Sequence, residues 1–114
     1  MYIKFMQSRF ASSKKKAKVL KKLGSRMRVG RKALDCFKDL AESFENSDDA
    51  FYKIDPVYAF LKNGSEVLGR GRPLSDCFVG WLPPEQLVLI RTGEETGKIA
   101  EALEQCVTLD KQIS

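Results

Sequence analysis

The sequence predicts an all-helical protein, a compact bundle of about six helices. Apolar residues recur at intervals of three and four along most of the chain. Glycines and prolines stand at the positions where helices of ordinary length would begin and end. The sequence has no Asn-Gly or Asp-Gly hairpin signal and no sustained period-two alternation, so strands are not expected. With 114 residues, the chain is one domain that can bury roughly two thirds of its unfolded surface.

The beginning of the chain predicts an arm followed by the first helix of the bundle. Residues 1–12 are interpreted as an amphipathic arm or short helix, and residues 13–114 as the helical domain. The first bundle helix has Ser12 or Ser13 as its N-cap and ends near Gly30. Its apolar positions are Ala17, Leu20, Leu23 and Met27.

Two further helices and a shorter one follow. The second carries a close match to the helical template at Ala33, Leu34, Phe37, Leu40, Ala41 and Phe44. After a break at residues 46–49, the third begins with Asp55 as N-cap and Pro56 as first residue. It should bury Val57, Phe60, Leu61 and Leu68. Gly64 weakens its middle by about 1 kcal/mol relative to alanine, and a shorter helix starts at Pro73.

The next helix begins at Pro84 and places Leu87, Val88 and Ile90 on one apolar stripe. We expect Gly93 to end this helix in a left-handed cap, after which Thr96 would cap the last helix. In that interpretation Glu94 and Glu95 lie near the positive N-terminal end of the last helix. Alternatively, Thr92 is the N-cap and Glu95 completes a capping box. In either case Gly97, which has no side chain, would let the two helices approach closely.

The last helix carries Ile99, Leu103, Cys106, Val107 and Ile113 on one face. Together the helices predict a core that contains Phe37, Leu40, Phe44, Leu61, Phe78, Leu87, Ile90 and Leu103.

The composition argues against metal binding and catalysis. Cys36, Cys77 and Cys106 are far apart, lie on apolar faces and are expected to be reduced thiols. Zinc needs about four ligands, and three scattered thiols without any histidine do not provide them. Histidine is also the commonest general acid or base. No pair of acidic residues carries a catalytic signature, so we expect a protein that is not an enzyme and holds no cofactor or metal.

The sequence predicts neither a membrane span nor a secretory signal. The longest apolar runs are about five residues, whereas a span needs roughly 18. The first ten residues lack a long apolar stretch and a small-residue cleavage site. We therefore expect this domain to lie in the cytosol.

Charge is distributed unevenly along the chain. Residues 1–32 carry 12 basic and no acidic residues, whereas residues 33–114 carry 8 basic and 15 acidic ones. The first helix should therefore present a basic face, formed by Lys14, Lys15, Lys16, Lys18, Lys21, Lys22, Arg26 and Arg28. A solvated helix face, a surface for anionic membranes and a surface for an acidic macromolecular partner are the three interpretations.

Gly69-Arg-Gly-Arg-Pro73 resembles the core of an AT-hook, a segment that binds nucleic acid. Leu68 and Leu74 flank this segment and Asp76 follows it, which fits a turn between helices better than an unstructured basic arm. The basic helix also lacks the interleaved aromatic residues of a single-strand platform.

Residues 71–112 carry a family resemblance. They contain, in order, Gly-x-Pro-Leu-Ser-x-x-Phe, a turn with prolines, an apolar helix, Gly-Glu-x-Thr-Gly at residues 93–97, and Ile-x-x-x-Leu. This order resembles the cytoplasmic repeat of the type II secretion F and type IV pilus inner-membrane platform proteins. Residues 23–34 are similar to the first helix, glycine turn and second helix of that family. The chain departs from the family where Arg26, Arg28, Arg31 and Lys32 replace residues that are usually apolar.

The resemblance implies a scaffold without catalytic activity on the cytoplasmic side of the bacterial inner membrane. Such a protein engages the cytoplasmic assembly ATPase and relays its motion to pilins, and its membrane spans would follow Ser114. Other machine proteins and a second copy of the chain are further partners. The resemblance also points to Gly93, Glu94, Glu95, Thr96 and Gly97 as the corner that shapes the docking surface.

Two alternatives stay open within and beyond this interpretation. The resemblance does not separate pilus assembly from secretion, although the divergent N-terminal half suggests a type IVb pilus. Outside the family, the alternative is a basic helical adaptor that binds nucleic acid.

Overall fold

A computed structural model describes residues 13–48 and 50–113, with side chains described for residues 15–48 and 50–108. The described residues form five α-helices and two short 3₁₀ helices and contain no strand. The α-helices are α1 (Ser13–Arg28), α2 (Ala33–Glu45), α3 (Pro56–Gly69), α4 (Pro84–Thr96) and α5 (Ile99–Ile113), and the 3₁₀ helices are Tyr52–Ile54 and Leu74–Phe78. The all-helical prediction is confirmed, and the five α-helices of the described residues are close to the predicted number of about six. The short helix expected at Pro73 is a 3₁₀ helix, and the predicted arm at residues 1–12 lies outside the described residues.

Local capping signals explain where several helices begin and end. The Asp55 carboxylate accepts a hydrogen bond of 2.9 Å from the backbone N–H of Val57, and Pro56 occupies the first position of α3. Gly30, just beyond α1, has a φ of +92°, a conformation that favours glycine. The Asp55 cap, Pro56 as first residue and the position of Gly30 near the end of the helix were predicted from the sequence, whereas the positive φ of Gly30 was not.

The helices pack around one core. The closest pairings are α1 with α5, α2 with α3, and α4 with α5, while the 3₁₀ helix Leu74–Phe78 lies against α3 and α4. The radius of gyration is 13.2 Å, close to the ~13 Å expected for a folded chain of about 100 residues. The bundle is therefore compact.

Aromatic rings occupy the centre of the core. Phe60 stacks on Trp81 with ring centroids 3.8 Å apart, and Phe37 and Phe78 pack against Phe60 at 5.5 and 5.4 Å. Of the predicted core residues, Phe44 and Leu87 are only partly buried and pack against its edge. The buried members are Phe37, Leu40, Leu61, Phe78, Ile90 and Leu103.

Gly64 is not a weak point of α3. An added Cβ at this position would lie 2.3 Å from Cε2 of the buried Phe37 ring. The glycine makes room for the aromatic side chain of α2, so alanine would cause a collision instead of stabilising the helix.

None of the helices in the described part of the chain combines the length and the apolar character needed to cross a bilayer.

Candidate functional site

The corner at residues 93–97 has a different geometry from both sequence interpretations. Helix α4 continues through Gly93 to Thr96, and Gly97 is its left-handed cap with a φ of +74°. The backbone N–H of Lys98 donates to the Gly93 carbonyl at 2.8 Å, which closes the end of the helix. Glu94 and Glu95 therefore lie in the last turn of α4, not at the start of α5.

Gly93 and Gly97 have exchanged their predicted roles. A Cβ on Gly93 would lie 2.7 Å from Cβ of Ala102 and 3.2 Å from Cα of Ile99, so Gly93 permits the close approach of α4 and α5. A Cβ on Gly97 would meet nothing within 4 Å, and the requirement for glycine there comes from its positive φ.

The two threonines of the corner do not cap α5. The Thr96 hydroxyl donates to the Thr92 carbonyl at 2.8 Å, and the Thr92 hydroxyl donates to the Val88 carbonyl at 2.9 Å. Both bonds lie within α4 itself. Val88, expected on the apolar stripe, is 57% exposed, because the stripe that faces the core passes through Ile90 and Gly93 instead.

Glu94 connects this corner to a distant part of the chain. Its two carboxylate oxygens accept hydrogen bonds from the backbone N–H groups of Leu74 at 2.7 Å and Ser75 at 3.0 Å. These donors belong to the first turn of a 3₁₀ helix, where N–H groups have no partner within the helix. Glu94 therefore joins Gly-x-Pro-Leu-Ser to Gly-Glu-x-Thr-Gly, the two separated parts of the motif.

The remaining motif residues define the surface of the corner. Glu95 and Thr96 are exposed. A shallow depression beside them is lined by Pro73, Ser75, Asp76, Arg91, Glu94 and Glu95. The corner thus offers a charged outer surface above a tightly packed joint.

The basic residues of α1 do not form one uniform face. Lys16 is directed inward, with its ammonium group 2.9 Å from the Trp81 carbonyl and 5.4 Å from the centroid of the Trp81 ring. Arg26 donates to the Lys22 carbonyl at 3.3 Å. Arg28 forms ion pairs with Glu101 and Glu104 of α5. The side chain of Lys14 lies outside the described part.

Lys15, Lys18 and Lys22 instead line a groove, together with residues of α2 and the start of α3. Its cavity volume is about 200 Å³. The apolar floor is formed by Val19, Leu40, Phe44, Val57 and Leu61, and Ser43 and Asp55 complete the lining. We call this feature the lysine groove. Lys21, although exposed, does not line it.

The three cysteines are buried and free, as predicted. Burial raises the pKa of the Cys36 thiol, and it raises the pKa of the Cys106 thiol to about 11. Such thiols are neutral and poorly reactive at pH 7. The described residues bring together no group of three histidine, cysteine or acidic side chains that could hold a metal ion.

The AT-hook-like segment forms a structured turn between α3 and the 3₁₀ helix Leu74–Phe78. Gly71 has a φ of +81°, and the Arg72 guanidinium pairs with the Asp76 carboxylate at 2.9 Å. This geometry agrees with the turn interpretation of the sequence.

Comparisons with protein-family models, curated proteins and solved structures found no match to this chain. Sequence reasoning found the corner and the basic helix, but it missed the Glu94 contact and the apolar floor of the lysine groove. Both depend on residues that are distant in sequence, and no local pattern marks them.

Proposed function

We propose that this chain is the first cytoplasmic domain of an inner-membrane platform protein for type IV pilus assembly or type II secretion. In this role it is a scaffold without catalytic turnover. It docks the cytoplasmic assembly ATPase and passes its motion to other machine proteins and pilins.

The observation that carries the proposal is the pair of hydrogen bonds from Leu74 and Ser75 to Glu94. The resemblance rests on two sequence patterns about twenty residues apart, and such patterns could occur together by chance. In this fold they form one structural unit, because the acidic residue of the second pattern caps the helix that begins in the first. A joint of this kind supports the interpretation of the two patterns as one motif.

The same joint suggests how the domain would transmit a load. Gly93 brings α4 and α5 into close contact, and Glu94 attaches α4 to the 3₁₀ helix Leu74–Phe78. A partner bound to the exposed surface near Arg91 and Glu95 would therefore contact α4 and the 3₁₀ helix directly, and α5 is joined to them through the contact at Gly93. In our proposal this surface receives the ATPase.

The test is binding of the chain to the assembly ATPase of the same machine, measured by titration calorimetry. Arg91→Glu and Glu95→Lys change exposed charges on the proposed surface, and each should weaken binding by about fivefold or more. Glu66→Lys, an exposed change on α3, is the matched control and should bind normally. Circular dichroism and thermal melting would establish that all variants fold.

The measurement can also reject the proposal. Absence of a complex between the unmodified chain and the ATPase would remove the docking role. Equal weakening by all three variants would remove the assignment to this surface. Pilus assembly or secretion in cells that carry the same substitutions in the full-length protein should follow the binding data.

The platform interpretation itself has a separate test in the gene. The coding sequence beyond Ser114 should contain a second copy of the motif and about three apolar segments long enough to span a bilayer. A continuation without either feature would contradict the platform proposal.

A further inference from the structure

The lysine groove combines two features that a merely solvated helix face does not need. Lys15, Lys18 and Lys22 follow one another at helical spacing, so their side chains lie along one edge. Beneath them, α2 and α3 contribute a floor of aliphatic and aromatic side chains. Its volume of about 200 Å³ compares with the ~150 Å³ that accommodates benzene in an apolar protein cavity. The groove can therefore take one bulky apolar side chain.

The charges around the groove favour an acidic occupant. Lys15 has an acidic neighbour, because its ammonium group lies 4.0 Å from the Asp55 carboxylate. Lys18 and Lys22 are exposed and form no ion pair with any side chain that the structure describes. The N-terminal end of α3, at Pro56, also lies beside the groove and adds a partial positive charge. Three lysines against one aspartate leave an excess of positive charge at the rim.

The shape and the neighbourhood favour a peptide over an anionic membrane. Phe51 and Ile54 are 72% and 79% exposed, and neither lines the groove. The apolar residues that line the groove are buried or half-buried, so they do not project from the surface as side chains that enter a bilayer would. A concave apolar floor also suits a single inserted side chain better than a flat lipid surface.

We propose that the lysine groove binds an acidic peptide segment of a partner protein, which places one aromatic or large aliphatic side chain against the floor and carboxylates beside Lys18 and Lys22. This site is distinct from the corner at Arg91 and Glu95. The inference does not depend on the platform role, since it rests on the groove alone.

The probe for the test is a short fluorescein-labelled peptide with one central phenylalanine and glutamates on both sides at helical spacing. Fluorescence anisotropy with the full chain measures its affinity. Two peptide controls replace the phenylalanine by alanine or every glutamate by glutamine, and both should bind more weakly. Vesicles of phosphatidylcholine with phosphatidylglycerol, in a sedimentation assay, test the lipid alternative.

Three variants of the chain locate the binding. Lys18→Gln with Lys22→Gln removes the rim charges and should raise the Kd by about fivefold or more. Ser43→Tyr fills the groove from α2 without removing a lysine and should also raise the Kd. Lys21→Gln with Lys38→Gln is the matched control, because it removes the same charge from exposed positions outside the groove, and it should keep the original affinity. Thermal melting checks that every variant is folded.

Several outcomes would overturn the proposal. If Lys21→Gln with Lys38→Gln weakens binding of the probe as much as Lys18→Gln with Lys22→Gln does, the binding is general charge attraction. A Kd weaker than about 1 mM for the unmodified chain, or unchanged affinity in the folded Ser43→Tyr variant, would exclude a peptide site in the groove. Binding to the anionic vesicles that requires Lys18 and Lys22, without binding of the peptide, would assign the surface to lipid instead.

Discussion

The corner at residues 93–97 and the lysine groove differ in how the fold uses their side chains. At the corner, Gly93 lies in the contact between α4 and α5, and the Glu94 carboxylate accepts hydrogen bonds from two backbone N–H groups. In the groove, Lys18 and Lys22 are exposed and contribute no ion pair to the described structure. The residues that carry the family resemblance are therefore chiefly structural at their centre, whereas the charges available for binding lie elsewhere.

This difference separates two kinds of functional evidence. A motif can mark a joint that shapes a surface without any motif residue touching a partner. Conversely, a surface with unused charge above an apolar floor can bind a partner without belonging to a motif. Mutations at the two regions should therefore differ in sign and size, and the following predictions run from the largest expected effect to the smallest.

The largest effect should come from Gly93→Val. Even a Cβ would lie 2.7 Å from Cβ of Ala102 and 3.2 Å from the Lys98 carbonyl oxygen, so the larger side chain must push α4 and α5 apart. Overpacking of this kind typically costs 1–3 kcal/mol, and we expect about 3 kcal/mol or more here. The free energy of urea unfolding measures this effect.

Gly97→Ala is the informative comparison for that change. The added methyl group meets open space, but the alanine backbone must keep the φ of +74° that glycine has at this position. The cost should be about 1–2 kcal/mol. A larger loss at Gly97 than at Gly93 would contradict the roles that the structure gives to the two glycines.

The second effect concerns the joint formed by Glu94. Glu94→Ala would leave the N–H groups of Leu74 and Ser75 without their carboxylate, and we expect a loss of about 2–3 kcal/mol. Glu94→Gln keeps one acceptor oxygen and should lose about 1 kcal/mol while remaining folded. Glu95→Gln, on the exposed neighbour, should stay within about 0.5 kcal/mol. Equal melting temperatures for Glu94→Ala and Glu95→Gln would show that the joint contributes nothing to stability.

Local chemistry made much of the fold predictable, and distant contacts made the rest unpredictable. Asp55 and Pro56 predict the start of α3 correctly, because capping involves neighbouring residues only. The sequence also shows that Gly93 and Gly97 are special. It cannot show which of them has a positive φ and which has a helix against it, because the second requirement is set by Ala102 in another helix.

Gly64 shows the same limit. Helix propensity treats an interior glycine as a weakness. The Phe37 ring of α2 occupies the space where a side chain at position 64 would lie. Glycine is therefore the residue that fits this position, despite its low helix propensity. The contact of Glu94 with Leu74 and Ser75 could not be predicted from residue spacing either, because these residues are about twenty positions away in the sequence.

The third effect appears only at alkaline pH. The pKa of Cys106 is raised to about 11 from an ordinary value of 9.0, because burial disfavours the thiolate. Between these values the unfolded chain loses a proton that the folded chain keeps, so stability is full below pH 9 and declines as the pH approaches 11. The free energy of unfolding should therefore fall with pH in this window, and less steeply in Cys106→Ala. Identical slopes for both proteins would show that the thiol does not contribute.

The smallest expected effect is a gain in stability, not a loss, and it comes from the lysine groove. Lys18 lies near Lys15, Lys21 and Lys22 on the surface of α1, and like charges one turn apart destabilise a helix by a few tenths of a kcal/mol. Lys18→Gln with Lys22→Gln should therefore stabilise the protein by about 0.5 kcal/mol at low ionic strength. The gain should vanish near 1 M salt, where the screening length is about 3 Å.

Arg28→Gln sharpens this last comparison, because it removes a charge from the same helix but from a residue that the fold uses. Arg28 pairs with Glu101 and Glu104, so its loss should destabilise the protein by about 0.5 kcal/mol at low salt. Urea unfolding of the two variants at low and high salt compares them directly. A loss of about 1 kcal/mol or more in the double lysine variant would mean that Lys18 and Lys22 hold the fold together. A gain that salt abolishes would mean that the chain tolerates a small repulsion at the rim of the groove, which is expected of charges kept for a partner.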